Sequence, residues 1–211
     1  VSGLIYLFRH GQSAAPPALM VGRSDFELSP EGRRQAERWG RILREINFTL
    51  ALASPLRRAI ETAELILGGR PDPTPLRIEP DLVEISLGLW EGRSKDWIRR
   101  HHPQDWEARG RDMINHPPPE GESLADLAAR VWPAFERLAR EAAGHRHSLI
   151  VAHQAVIRVL LSRLSGSWPA NPLDIELPPA ALNVLAVDSA GSLSGPIRIQ
   201  SLPQDNIHSN K

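Results

Sequence analysis

The segment Leu4-Ile5-Tyr6-Leu7-Phe8-Arg9-His10-Gly11-Gln12 sets an apolar run directly against an arginine, a histidine and a glycine. A short, unbroken apolar run of this kind is the pattern of a strand buried on both faces, as in parallel sheets. Ligands of open α/β sheets bind outside the carboxyl ends of the strands. A strand that ends on Arg9 and His10 therefore delivers polar groups where such a fold holds its ligand, provided that other strands do the same.

Two others do. Residues 49–53 read as a second strand, followed by Ser54-Pro55-Leu56-Arg57-Arg58. Residues 149–152 read as a third, followed by His153 and Gln154. Between them lie helical patterns. Ser29-Pro30-Glu31 is a helix start, with Ser29 as N-cap, and Ala36, Trp39, Leu43 and Ile46 recur at helical spacing. A second helix opens at Pro55 and stops at Gly68-Gly69. Ser123 opens a long helix supported by Asp126 and expected to kink at Pro133, and residues 156–164 form another. Residues 76–78, 182–187 and 197–200 are further strand candidates, and the 182–187 strand is expected to offer an edge for pairing in a homodimer. Strands separated by helices predict an α/β fold: a three-layer αβα sandwich around a mostly parallel central sheet. Residues 1–211 are expected to form a single domain, interrupted at about 93–122 by a polar, lid-like insertion carrying Trp97 and Trp106.

Composition narrows the function classes. The 211 residues carry 25 Lys and Arg against 25 Asp and Glu, so no global field favours nucleic acid or an anionic membrane. With no cysteine there is no disulfide, no thiolate metal site and no cysteine nucleophile. No signal-peptide pattern opens the sequence, and no apolar run approaches the ~20 residues of a spanning helix. The expectation is a soluble, cytoplasmic protein. Its 19 prolines cluster in loops between periodic segments.

Two arginines and two imidazoles converging at strand ends suit a phosphoryl group better than a carboxylate. Gly11 is expected to let the backbone approach that ligand without a Cβ in the way. A neutral imidazole attacks phosphorus, and Arg9 and Arg58 are expected to keep His10 neutral by disfavouring a second proton. The leaving alkoxide then needs an acid, for which Glu84 is the first candidate and Glu91 the alternative. A bland reading accompanies each group. His10 could be a hydrogen-bonded core histidine, His153 a structural one, Arg57-Arg58 a surface pair, and Trp97 and Trp106 a small core of the insertion's own rather than the lining of an apolar substrate pocket. His101-His102 and His145-x-His147 invite a metal reading, but no carboxylates stand at ligand spacing.

Beyond this pattern the sequence resembles the histidine phosphatase superfamily, also called phosphoglycerate mutase-like. The resemblance lies in LFRHGQS (7–13), GRSDFELSPEGRRQA (22–36), SPLRRAIETA (54–63), LVEISLGLWEG (82–92), PEGES (119–123) and IVAHQAVIR (150–158), in that order. It implies His10 as a phosphorylated nucleophile, Glu84 as proton donor, Arg9, Arg58 and His153 as phosphate ligands, and no metal or other cofactor. It sets Gln12, Ser13, Arg23 and Gln154 near the substrate, a small phosphorylated metabolite. Two positions depart from the pattern: Pro16 where many members have asparagine, and Gln154-Ala155 where Gly-Gly is usual. His-Gln-Ala-Val also occurs in the bisphosphatase domain of bifunctional phosphofructokinase/fructose-bisphosphatase enzymes. The compact 92–120 segment favours a phosphatase over a mutase, whose insertion is longer. The resemblance thus implies a metal-independent phosphomonoesterase, with a phosphoglycerate mutase, a sugar bisphosphatase or a catalytically silent phospholigand module as alternatives.

Overall fold

A computed structural model describes residues 3–72, 74–168 and 172–200. The last residues of the expected single domain, 201–211, lie outside the described residues. Six strands form one sheet: β1 (Gly3–Arg9), β2 (Leu50–Ala53), β3 (Leu76–Ile78), β4 (His147–Ala152), β5 (Leu182–Val187) and β6 (Leu193–Gln200), in the order β3-β2-β4-β1-β5-β6. Strands β1 to β4 run parallel, whereas β5 is antiparallel to both neighbours. The helices are α1 (Pro30–Ile42), α2 (Arg57–Leu67), α3 (Lys95–His101), α4 (Pro103–Arg111), α5 (Leu124–Ala142) and α6 (Gln154–Leu164).

The pleat explains the three layers. Successive side chains of a strand point to opposite faces. Ile5 and Leu7 of β1 therefore join Leu52, Ile150 and residues of α5 and α6 in one core cluster. Tyr6 and Phe8 join Ala51, Val151 and residues of α1 and α2 in the other. Strands buried this way on both faces need an unbroken apolar run, which residues 4–8 supply.

Caps fix where the helices begin. Ser29 accepts from Gly32 N, with Pro30 in the first turn of α1. At α5, Ser123 and Asp126 form a reciprocal capping box, and the helix continues through Pro133. Two expectations change. Strand β5 lies between β1 and β6, so it is not a free edge for a homodimer. Its apolar run made it strand-like in sequence, but the later β6 covers its far side. Trp97 and Trp106 form no separate core: they pack against the main cluster on the α5–α6 face. There Trp106 lies 5.7 Å from Trp90, and Ile98 beside them is fully buried. The 93–122 segment is thus docked on the body of the protein through α3 and α4. Among the described residues no helix is long and apolar enough to cross a membrane.

Candidate active site

Strand register brings the polar groups together. Ala53 of β2 is level with Val151 of β4, which is level with Phe8 of β1. The residues that follow leave three adjacent strands at one end of the sheet. There His10 N donates to Ala152 O (3.0 Å), and Ser54 N donates to Val151 O (3.0 Å). Ala180 N, from the loop before β5, donates to His10 O (3.0 Å), so the His10 backbone is held from two sides.

Gly11 has a different task from the expected one. A Cβ there would sit 2.6 Å from the Gly32 carbonyl oxygen, so the glycine lets the start of α1 pass close to the loop. Gly11 N donates to Thr62 Oγ1 (3.0 Å), which ties the loop to α2 as well.

The His10 ring is oriented by a 2.7 Å contact between Nδ1 and the Gly11 carbonyl. A carbonyl only accepts, so Nδ1 carries the proton and Nε2 keeps its lone pair. Arg58 Nε donates to that lone pair at 3.2 Å. The His10 pKa is lowered to about 3, first by burial and then by Arg58 and Arg9. The sequence had pointed to the arginines, but removal from water is the larger cause. His10 is therefore neutral over most of the pH range.

Arg58, at 2 % exposed, is not a surface residue. Its guanidinium also donates to Ser24 O and Gly22 O, each at 2.8 Å. Gly22 turns at φ 48°, a left-handed conformation suited to glycine, and so presents its carbonyl. Arg9 donates through Nη1 to Leu177 O, while its Nε is buried without a partner. Burial lowers the Arg9 pKa to about 10. His153 is fully buried, its ring centroid 5.0 Å from that of His10. Its Nε2 meets Ser54 Oγ at 2.6 Å, and its Nδ1 has no partner. Arg9 Nε and His153 Nδ1 are thus two buried nitrogens at this end of the sheet without a partner among the described residues.

Glu84 faces the same cavity. Its Oε1 accepts from Ile85 N (2.9 Å) and its Oε2 from Ala155 N (3.3 Å), at the start of α6. Burial raises its pKa, outweighing these bonds and the arginines. Glu91, the alternative acid, instead braces a turn, accepting from Arg23 N and Leu87 N at 3.1 Å each.

The cavity in front of these groups has a volume of about 320 Å³. Of the sequence candidates, Arg9, His10, Ser13, Arg58, Glu84 and Gln154 line it. Gln12 does not: its side chain is exposed, and its backbone N donates to Gln35. Pro16, in place of the usual asparagine, is also exposed. Arg23 stands behind Glu84, donating to the Glu84 carbonyl (2.9 Å) and to Glu122 Oε1 (2.9 Å). Arg130 of α5 joins it, donating to Glu122, to Val83 O (3.1 Å) and to Glu84 O (3.4 Å). Two arginines bridged by one carboxylate thus clamp the backbone that carries Glu84.

Two lining cations went unread in the sequence. Arg109 of α4 is 6 % exposed and donates to His116 O (2.7 Å), and Arg158 of α6 donates to Ile175 O (3.0 Å). Helical spacing put both on ordinary polar positions, and nothing local marked them. The remaining wall is largely apolar, with Met20, Val21, Leu87, Met113 and Leu173. Trp97 and Trp106 take no part in it. Of the histidines read against a metal, His101 stacks on Trp97 at 4.2 Å, and His145 Nδ1 meets Thr49 Oγ1 at 2.9 Å.

Comparisons with known proteins agree with this arrangement. Residues 5–194 match the family model of the histidine phosphatase superfamily (branch 1). The chain is 32 % identical over 176 residues to a 2,3-bisphosphoglycerate-dependent phosphoglycerate mutase of Cytophaga hutchinsonii, covering 82 % of this chain and 83 % of that one. It is 32 % identical over 163 residues to the adenosylcobalamin/alpha-ribazole phosphatase of Escherichia coli, covering 77 % and 79 %. A crystal structure of the alpha-ribazole phosphatase from Shigella flexneri superposes with a TM-score of 0.82 at 28 % identity, covering 90 % and 93 %.

Proposed function

The chain belongs to the histidine phosphatase superfamily, and from that premise we propose that it is a metal-independent phosphomonoesterase that hydrolyses a small phosphorylated metabolite through a phosphohistidine. One observation carries the reading. The His10 ring is neutral and fixed by Gly11, its Nε2 carries the lone pair and accepts from Arg58 Nε, and Arg9, Arg58 and Glu84 share its cavity.

The chemistry uses protein groups alone. The phosphoryl oxygens take the donors of Arg9, Arg58 and His153, which hold charge as it redistributes. Arg58 Nε–H moves from His10 Nε2 to an oxygen, and Nε2 attacks in line. The N–P bond forms as the P–O ester bond breaks. Glu84, whose pKa burial raises, gives its proton to the leaving alkoxide. Water then attacks phosphorus, returning a proton to Glu84 as the N–P bond breaks. The apolar wall suits a leaving group with an apolar face, and Arg109 and Arg158 suit an acceptor or second anionic group on it.

A mutase would use the same first step and return the phosphoryl group to the organic product, and the similarity to a phosphoglycerate mutase keeps that reading in view. His153-Gln154-Ala155-Val156 keeps a sugar bisphosphatase in view. A panel of phosphate esters, assayed with and without a chelator, tests the proposal. The expected result is chelator-insensitive release of inorganic phosphate from at least one ester. Conversion of 3-phosphoglycerate to its isomer without phosphate release would establish the mutase instead. Tight phosphate binding with no turnover of any ester would mark a silent phospholigand module.

A further inference from the structure

Ser54 is fully buried at the end of β2, and its hydroxyl lies 2.6 Å from His153 Nε2. Its other neighbour is Leu56 N, a donor, at 3.4 Å. Among the described residues the hydroxyl hydrogen thus has one acceptor, His153 Nε2. A ring nitrogen that accepts carries no proton, so the proton of the neutral imidazole sits on Nδ1. That Nδ1 is buried and has no partner. We propose that Ser54 is a positioning residue: it sets the tautomer of His153 so that Nδ1–H is the donor offered to a phosphoryl oxygen beside His10.

The inference rests on the proposed phosphoryl chemistry and adds a residue that no part of it required. The tautomer matters because the two forms act oppositely on an anion. With the proton on Nδ1, the ring donates to the phosphoryl group. With the proton on Nε2, Nδ1 would instead turn a lone pair toward the anion and repel it. Burial keeps the ring from taking both protons, with the Arg58 and Arg9 charges adding to the effect. A neutral ring without a fixed neighbour would divide between the two forms. The backbone bond from Ser54 N to Val151 O holds the serine level with the strand that precedes His153.

The test is long-range proton–nitrogen NMR on the full chain labelled with nitrogen-15 histidine, with inorganic phosphate as the probe. The wild type is expected to show His153 protonated at Nδ1 and bare at Nε2, with the Nδ1 proton moving downfield when phosphate is added. Ser54→Ala should give a mixed tautomer and weaken phosphate inhibition at least tenfold. Ser54→Thr, which keeps the hydroxyl, should restore the wild-type spectrum. A wild-type His153 protonated at Nε2 would overturn the assignment, and that measurement stands even if Ser54→Ala does not fold. An unchanged tautomer and phosphate affinity in Ser54→Ala would overturn it too. A wild type with the expected tautomer that hydrolyses no ester would instead count against the phosphatase reading alone.

Discussion

Glu84 accepts two backbone N–H bonds and faces two arginines, all of which favour its anion, yet burial raises its pKa. An acid whose pKa is raised this way matters only when the leaving group needs a proton. Glu84→Gln should lower kcat about 10²–10⁴-fold on alkyl phosphates. On p-nitrophenyl phosphate, whose phenolate leaves unaided, the loss should be far smaller. The alkaline limb of the pH profile, set by the Glu84 proton and lying above the usual carboxyl range, should vanish in the variant. The acid limb should lie well below the ordinary imidazole value, because the His10 pKa is about 3. Steady-state kinetics across pH with both ester types checks all three outcomes. Arg58 gives a second prediction at this scale. Its fork contacts Ser24 O, Gly22 O and His10 Nε2 at once, a geometry that one ammonium cannot reproduce. Arg58→Lys should therefore lose most of what Arg58→Ala loses, about 10²–10³ in kcat/KM.

Elements hold these residues in place through their ends. Glu122 precedes α5, accepts from Arg23, Arg130 and Ser86, and so fixes the clamp on the Glu84 backbone. Burial alone would raise its pKa, but the Arg130 and Ser86 bonds outweigh that and lower it. Glu122→Gln should lower kcat more on alkyl phosphates than on p-nitrophenyl phosphate, since what it disturbs is the placement of the acid. Ser123→Ala, one residue on, removes the capping box of α5 and should cost about 1 kcal/mol in urea unfolding. These ends were largely legible in the sequence: Ser29-Pro30 and Ser123-x-x-Asp126 carry cap chemistry in adjacent residues. The clamp was not, because Arg23, Glu122 and Arg130 are far apart in the chain and each resembles a solvated charge. Arg109 and Arg158 were hidden for the same reason. Trp97 and Trp106 were misread because a polar segment does not reveal which distant core its aromatic residues reach.

Across the whole molecule, the apolar runs and intervening helices disclosed the sheet and its layers, since both-face burial demands those runs. Strand order was less legible. An apolar run reads alike in an edge and in the interior, so β5 passed for an edge until β6 was seen beside it. The buried site also couples to stability. His10 and His153 titrate lower in the folded protein than in the unfolded chain, so below the unfolded value of about 6.5 the unfolded state binds more protons. Stability present at neutral pH is therefore lost as pH falls from there toward the folded values, by up to about 1.4 kcal/mol per pH unit for each ring. Glu84, with a raised pKa, acts with the opposite sign: its contribution is present at low pH and lost as pH rises through its folded value. Urea midpoints between pH 7 and about 4.5 should fall more steeply for the wild type than for His10→Asn.

The position of the phosphoryl group on the enzyme tests the central claim most directly. Gly11 holds the Nδ1 side of the His10 ring, so only Nε2 is available to phosphorus. Rapid quenching with a turned-over ester, followed by phosphorus NMR and peptide mapping, should find an acid-labile phosphohistidine at Nε2 of His10 and none in His10→Ala. Label at Nδ1 or on another residue, or undiminished turnover by His10→Ala, would contradict the account.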